Sequence, residues 1–336
     1  MIRLTKGGKE LNLLVTGGAG FIGSNFIHYL MASQSHDSLV NYDLLTYAGN
    51  LANLADINDD SRYTFVQGDI TDEAHVNAII KDYRIDGIVN FAAESHVDRS
   101  ILNPNAFVSS NFVGLSVLLN AARKFNIRLV QISTDEVYGT AKFHQAFDEN
   151  GALKPSSPYS ATKASADLLA LAYFKTYGTD ICITRSANNY GRFQFPEKLI
   201  PLMVVNGLLG KKLPIYGKGE NSRDWLNVVD NCAAIDVVLR SGKSGQIYNI
   251  AGHYYRTNLE VVNQIVQELG LSKSQIEFVS DRPANDLQYM IDDSKIRSEL
   301  GWYPQVSFSQ GLRATIKWYV NHAAWWRPLL KQVKNR

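Results

Sequence analysis

The sequence predicts an α/β fold: a Rossmann-type, doubly wound parallel sheet with a smaller C-terminal mixed α/β lobe. Three observations carry this expectation. Short apolar runs of strand length alternate with longer helix-patterned stretches as far as Arg185; a glycine-rich turn follows the first run; an acidic residue closes the second. Near-continuous apolar strands separated by helices describe a parallel sheet covered on both faces.

The expected strands are 11–16, 38–43, 63–67, 87–91, 127–132 and 180–185, and the expected helices between them are 21–31, 72–81, 107–124 and 159–177. After about Asn189 the alternation loosens, with Pro196, Pro201, Pro214 and a Gly-Lys-Gly turn at 217–219. Residues 1–190 therefore read as a dinucleotide-binding domain and 191–336 as a second lobe. Segments 224–240 and 245–252 look like returns to the main sheet. There is no internal repeat and no low-complexity segment.

A chain of 336 residues makes one large domain or two modest ones. Its 45% hydrophobic and 20% charged content is that of a soluble globular protein. A formal net charge of +2 argues against nucleic acid or an anionic membrane as the main partner. Cys182 and Cys232 sit in apolar runs and read as reduced, buried thiols, with neither a disulfide nor a metal site expected. No apolar run approaches the ~20 residues of a membrane span. Residues 1–10 are basic and polar and lack the apolar core of a signal peptide. A cytoplasmic location is expected.

The turn after the first strand runs Thr16-Gly17-Gly18-Ala19-Gly20-Phe21-Ile22-Gly23-Ser24. Gly17 and Gly20 allow a tight turn and close approach of backbone to a pyrophosphate, and Gly23 lets the helix pack on the strand. The helix N-terminus then faces the phosphates. Such a motif alone is weak, and the alternative is a glycine-rich turn without a ligand. Here it follows a strand, opens an apolar helix and has Asp43 at the end of the next strand. A carboxylate there accepts from ribose hydroxyls and favours NAD over NADP. Asp69 either reaches the adenine edge or caps the helix that begins near Glu73; the two roles are compatible.

Tyr159 and Lys163 lie four residues apart at a helix start, so both project from one face. A neighbouring ammonium lowers a phenol's pKa toward that of a usable base, so the pair suits oxidation of a substrate hydroxyl. Such a spacing also occurs by chance on helix surfaces. Thr134 is placed to hydrogen-bond the same substrate oxygen. Asp135 and Glu136 follow an apolar strand, where open parallel sheets bind ligands beyond the strand ends. Two solvated carboxylates are the bland alternative. As a functional pair, Glu136 is a base beside a carbonyl and Asp135 an acid whose pKa burial raises. A C4 ketone acidifies the C5 proton of a sugar, so the two steps together describe oxidation followed by loss of water.

These residues resemble the extended short-chain dehydrogenase/reductases, and within them the dTDP-glucose 4,6-dehydratases. The resemblance spans about Leu11 to Trp326 and rests on TGGAGFIGSN (16–25), DLLTYAGNL (43–51), FAAESHVDRSI (91–101), STDEVYG (133–139), SPYSATKASAD (157–167), NNYGRFQFPEKLIP (188–201), LPIYGKGENSRDWL (213–226) and LGWYP (300–304). Thr134-Asp135-Glu136 separates such dehydratases from the related epimerases. The resemblance implies tightly held NAD and a closed cycle on a nucleotide-diphosphate hexose. In it Tyr159 deprotonates the C4 hydroxyl, hydride leaves C4, Glu136 takes the C5 proton, Asp135 protonates the departing C6 hydroxyl, and hydride returns to C6. The implied cofactor residues are Gly17, Gly20, Phe21, Ile22, Gly23, Asp43, Asp69, Ile70, Ala92, Tyr159 and Lys163.

The implied substrate residues are Glu94, Ser95, Asn188, Asn189, Glu197, Lys198, Leu199, Pro214, Tyr216, Arg223, Arg282 and Asn285. Arg223 is the best diphosphate ligand, since a guanidinium fork matches phosphate oxygens; its alternative is a surface arginine beside Asp224. The lobe at 191–336 would hold the nucleotide sugar. Helices 107–124 and 159–177 resemble those of a four-helix homodimer interface. The sequence departs from the family pattern at Arg192, where a proline is usual, at Asn285, where a histidine is usual, and at Leu287 and Gln288, where two arginines are usual. These departures leave the redox and elimination residues intact. They keep UDP-glucose and UDP-N-acetylglucosamine open as substrates beside dTDP-glucose. An epimerase or decarboxylase on the same fold, and a non-catalytic binding relative, are the other readings.

Overall fold

The computed structural model describes residues 10–33, 36–141, 145–281 and 286–334. The strands are β1 (Asn12–Thr16), β2 (Ser38–Asp43), β3 (Tyr63–Gln67), β4 (Gly87–Asn90), β5 (Arg128–Thr134), β6 (Ile181–Ser186), β7 (Asn188–Tyr190), β8 (Leu213–Tyr216), β9 (Ser222–Asn227), β10 (Gln246–Ile250), β11 (Tyr255–Thr257) and β12 (Ile276–Val279). Seven form the main sheet in the order β10-β6-β5-β4-β1-β2-β3, and every pairing is parallel. The order reverses at β1, so the crevice beyond the C-terminal ends of β1 and β4 is the natural ligand site of this topology.

The helices are α1 (Phe21–Ala32), α2 (Glu73–Asp82), α3 (Val97–Leu102), α4 (Pro104–Phe107), α5 (Leu115–Phe125), α6 (Pro158–Tyr177), α7 (Leu199–Leu208), α8 (Val228–Ser241), α9 (Asn258–Glu268), α10 (Ser294–Leu300), α11 (Phe308–Asn321) and α12 (Ala323–Lys334). One apolar layer joins α1 and α8 to the sheet through Phe26, Ile27, Ile235 and Val238. The opposite layer joins α2, α5 and α6 through Val76, Ile79, Leu118 and Ala166. Two covered faces explain why the strands are apolar throughout. A third cluster, around Met203, Trp225, Ile265 and Tyr319, holds the C-terminal elements together.

Local chemistry sets the ends of α6. Ser157 and Ser160 form a reciprocal capping box, Pro158 occupies the first turn, and Gly178 ends the helix at φ +68°. The start of this helix is thereby fixed where Tyr159 and Lys163 project.

Three expectations change. Residues 224–227 belong to β9, which pairs with β7 and β11 in a separate three-stranded sheet, so only α8 and β10 rejoin the main sheet. The helix expected over 107–124 starts earlier, at α4, and passes through a π-helical turn, Val108–Gly114, before α5. This Pro104–Phe125 stretch is long and apolar enough, by length and composition, to cross a bilayer, contrary to the sequence reading. Half of its window is buried inside the protein, and an interior helix of a parallel-sheet fold is apolar for that reason.

Candidate active site

A cleft of ≈ 460 Å³ opens along the C-terminal ends of the main-sheet strands. Every residue expected to hold the dinucleotide lines it: Gly17, Gly20, Phe21, Ile22, Gly23, Asp43, Asp69, Ile70, Ala92, Tyr159 and Lys163. Gly17 sits at φ +67°, and a Cβ there would stand 2.5 Å from the Ala92 nitrogen. A Cβ on Gly23 would stand 2.4 Å from the Gly17 carbonyl oxygen. Gly23 lets α1 close on the turn as the spacing implied, while Gly17 seats the turn against Phe91 and Ala92, just past β4. Gly18 is as tightly packed, against Asn41, which the spacing rule does not mark.

Asp43 accepts from the Ala19 N–H (2.9 Å) with one oxygen and from the Leu45 N–H (2.8 Å) with the other. Burial pushes its carboxyl up, and the two backbone donors oppose the shift. Each oxygen keeps lone-pair capacity toward the cleft it lines. Asp69 accepts from the Thr71 N–H (2.9 Å), while α2 is capped by Asp72, so the capping role considered for Asp69 belongs to its neighbour. The cradle that glycine Cβ atoms would fill and the carboxylate at the β2 terminus fit an NAD-type dinucleotide.

Tyr159 and Lys163 are both buried. The Lys163 ammonium donates to the Ile132 carbonyl on β5. Burial lowers its pKa to about 8, with Asp167 pulling the other way. Contrary to the expectation of an ammonium-activated phenol, Tyr159 is pushed well above its ordinary range, first by burial and then by the Glu136 charge. A hydrogen bond with Thr134 opposes this shift. The physical reason is the burial of the phenol first, and then that the charge it feels most strongly is the Glu136 carboxylate, while the Lys163 ammonium donates to a backbone carbonyl.

Thr134 is the last residue of β5, and Asp135–Tyr138 turns away as one 3₁₀ turn. The Thr134 hydroxyl accepts from the Glu136 N–H (3.2 Å) and donates to Asp135 Oδ1 (3.2 Å). Asp135 is 3% exposed, and its Oδ2 is buried with no partner. Burial first, then the Glu136 charge, raises the Asp135 pKa to about 8; the Arg223 charge opposes this. Its burial and the upward shift favour the neutral carboxyl, and a side chain so enclosed is not the solvated carboxylate of the bland alternative. Tyr289 also feels the Glu136 charge, so the segment after residue 285 comes close to this turn.

The expected substrate residues divide. Glu94, Ser95, Glu197 and Lys198 line the cleft. The Glu94 backbone is clamped by Asn111, whose amide accepts from the Glu94 N–H (2.9 Å) and donates to its carbonyl (3.0 Å) and to Thr162 (3.0 Å). Asn111 lies in the π-helical turn, and sequence spacing gave no signal for it. Lys198 donates to the Ser95 carbonyl (3.0 Å), and Tyr47 donates to Glu197 (2.9 Å). Tyr47 thus ties the β2 loop to the later lobe.

Asn188 and Asn189 lie on β7, each with a buried amide oxygen lacking a hydrogen-bond partner. Leu199 opens α7. Pro214 and Tyr216 lie on β8, apart from the cleft walls. Arg223 is buried on β9, so it is not the surface arginine considered as an alternative. It donates to the carbonyls of Ser222 (2.8 Å), Asp286 (2.9 Å) and Leu287 (3.4 Å) and stacks over Tyr289 at 4.4 Å. Asp286 in turn accepts from Thr140, Ser156 and Tyr289, so it is fastened to the stretch that follows the Asp135–Tyr138 turn and to the one that precedes α6. Arg282 and Asn285 lie outside the described residues.

A cleft for a dinucleotide at the switch point of a parallel sheet, with a tyrosine-lysine pair in its wall, defines an NAD-binding oxidoreductase-type fold; the buried acid beside it adds a second chemistry. Residues 14–315 match the family model described as GDP-mannose 4,6 dehydratase. A dTDP-glucose 4,6-dehydratase of Streptomyces niveus is 47% identical over 324 residues, covering 95% of this chain and 96% of that protein. The dTDP-glucose 4,6-dehydratase of Bacillus anthracis, solved in complex with NAD, is 49% identical with a TM-score of 0.89, covering 95% of this chain and 99% of that one. DesIV, a dTDP-glucose 4,6-dehydratase of Streptomyces venezuelae solved with NAD and a dTDP ligand, is 47% identical with a TM-score of 0.92, covering 95% and 100%. The chain belongs to the GDP-mannose 4,6-dehydratase family and, within it, to the dTDP-glucose 4,6-dehydratases.

Proposed function

We propose that this protein converts dTDP-glucose to its 4-keto-6-deoxy product with loss of water, using NAD as a cofactor that is restored in each turnover. One observation carries the reading: Asp135 is a buried carboxyl, raised by burial and the Glu136 charge toward a proton donor and hydrogen-bonded to the threonine that also reaches Tyr159. An epimerase has no need of a proton donor beside its redox tyrosine. When bound, NAD supplies the two-electron oxidant and brings a positive ring into the cleft, which favours the phenolate.

The chain's own residues then divide the work. Thr134 orients the C4 hydroxyl and Tyr159 takes its proton. Lys163 holds positive charge at the helix start that bears Tyr159. Once C4 is a ketone, the C5 proton is acidified and Glu136 removes it. Asp135 delivers its proton to the C6 oxygen, which leaves as water. Its pKa of about 8 keeps that proton available at neutral pH. The hydride taken from C4 would return to C6 as C5 is reprotonated, which saturates the 5,6 double bond, restores the oxidised cofactor and closes the cycle.

Residues 191–336 act in this reading as the nucleotide-sugar lobe, with Glu197 and Lys198 at the sugar and Arg223 fastening the segment over it. A homodimer fits the exposed apolar side chains Leu102, Val108, Val113 and Leu168 on neighbouring helices, which a four-helix interface would cover. Light scattering at two concentrations tests it, with a stable monomer as the contrary result. A cytoplasmic location suits two buried free thiols. The activity is tested by a panel of dTDP-glucose, UDP-glucose and UDP-N-acetylglucosamine. Mass loss of one water from dTDP-glucose, with no accumulating NADH, supports the reading. Turnover of a UDP-sugar alone replaces the substrate, and loss of water from none of them sinks the reading.

A further inference from the structure

The last two helices reach the dinucleotide turn although α12 ends the described chain. The Trp325 indole N–H donates to Asn53 Oδ1 (2.8 Å). The Asn53 amide N–H donates to the Ala19 carbonyl (2.9 Å), and the Ala19 N–H donates to Asp43 Oδ2 (2.9 Å). Three hydrogen bonds thus run in series from α12 to the carboxylate at the end of β2. Asn53 is 2% exposed and is held from a further side, its carbonyl meeting His28 Nε2 at 2.7 Å.

Ring packing runs parallel to this chain. Phe193 lines the cleft and adopts φ +66°, a conformation that bulky side chains rarely take. It packs edge-on to Trp318 (5.0 Å between centroids), tilted against Trp325 (6.0 Å) and stacked on His28 (5.5 Å). Packing alone would be met by an apolar side chain at 53. A buried amide is favoured only where its donors and acceptors are matched. Here the acceptor faces α12 and the donor faces the dinucleotide turn.

We propose that Trp325 is a positioning residue for the cofactor: acting through Asn53, it fixes the Ala19 carbonyl and hence the turn at 16–20 in the geometry that receives the dinucleotide. The C-terminal helix therefore contributes to NAD affinity without touching NAD. This inference rests on the NAD site described above. It is tested on the full-length protein, stripped of cofactor, by titration calorimetry with NAD. Trp325→Phe keeps the ring and removes the donor; a single net hydrogen bond predicts about five-fold weaker binding, with kcat at saturating NAD nearly preserved. Asn53→Leu should weaken NAD to a similar degree, and the double variant should be no worse than the weaker single one, because both break one chain.

Trp326→Phe is the control. It loses an indole hydrogen bond of the same length, to the Tyr319 carbonyl (2.8 Å), inside the α11–α12 pair. It should lower Tm while leaving NAD affinity unchanged. Unchanged NAD affinity in both Trp325→Phe and Asn53→Leu overturns the proposal. So does Trp326→Phe weakening NAD as much as Trp325→Phe, which would reduce the effect to helix stability. Absence of NAD binding by the parent protein would instead remove the cofactor site itself.

Discussion

Replacing Asp135 with Asn takes away a carboxyl that the folded protein holds neutral and the unfolded chain ionises. The side chain is buried, one oxygen is without a partner, and its pKa rises from 3.8 to about 8. A folded-state pKa above the unfolded one contributes stability that is complete below the unfolded value and is lost as pH rises through the folded one. Each pH unit in that window costs the fold ~1.4 kcal/mol, so by pH 7 the loss is about 4 kcal/mol. The amide does not titrate. Other buried carboxyls titrate equally in both proteins, so the difference between parent and variant isolates Asp135. Thermal unfolding across roughly pH 4 to 7 should show Asp135→Asn gaining several degrees of Tm on the parent toward neutral pH, at ~2 °C per kcal/mol for a chain of this size. The same variant should lose ~10²- to 10⁴-fold in turnover. Parallel Tm curves over the whole range would mean that Asp135 is not held protonated, and the acid role would fall with it.

Other outcomes follow from the same geometry. In the proposed mechanism turnover uses protonated Asp135 and charged Lys163, and both forms are lost as pH rises through about 8; kcat should fall there with a slope approaching two, and a limb of slope one would leave only one of them in the rate. Glu136→Gln should still oxidise C4 but stall before elimination, so reduced nicotinamide should build up in a single turnover; unchanged turnover removes Glu136 from the mechanism. Gly17→Ala introduces a Cβ 2.5 Å from the Ala92 nitrogen at φ +67°. It should weaken NAD binding more than ~10-fold, since the left-handed backbone alone costs ~1–2 kcal/mol; parent-like affinity by calorimetry would show that the turn can move aside.

The sequence-legible part of the fold is the part governed by local rules. β2 and β3 have the bounds that their apolar runs predict, and the dinucleotide turn follows from glycine spacing and Asp43. What was not legible depends on partners distant in sequence. Residues 224–227 look like a main-sheet strand, yet pair with β7 and β11, because an apolar run does not name its neighbour. The π-helical turn that presents Asn111 to Glu94 leaves no periodic signature. The Tyr159 phenol was expected to be lowered by Lys163, but the ammonium reaches a β5 carbonyl, a contact set by how α6 packs on the sheet. Arg223 was legible as important, whereas its grip on the carbonyls of 286 and 287 required the fold.

The central claim is that oxidation at C4 and reduction at C6 are two halves of one closed cycle around the elimination. Turnover of dTDP-glucose carrying deuterium at C4, read by mass spectrometry and NMR, tests this most directly. The account predicts a product one water lighter with the deuterium retained and located at C6. Deuterium washed into solvent, or still at C4 in a substrate that has lost no water, would contradict it.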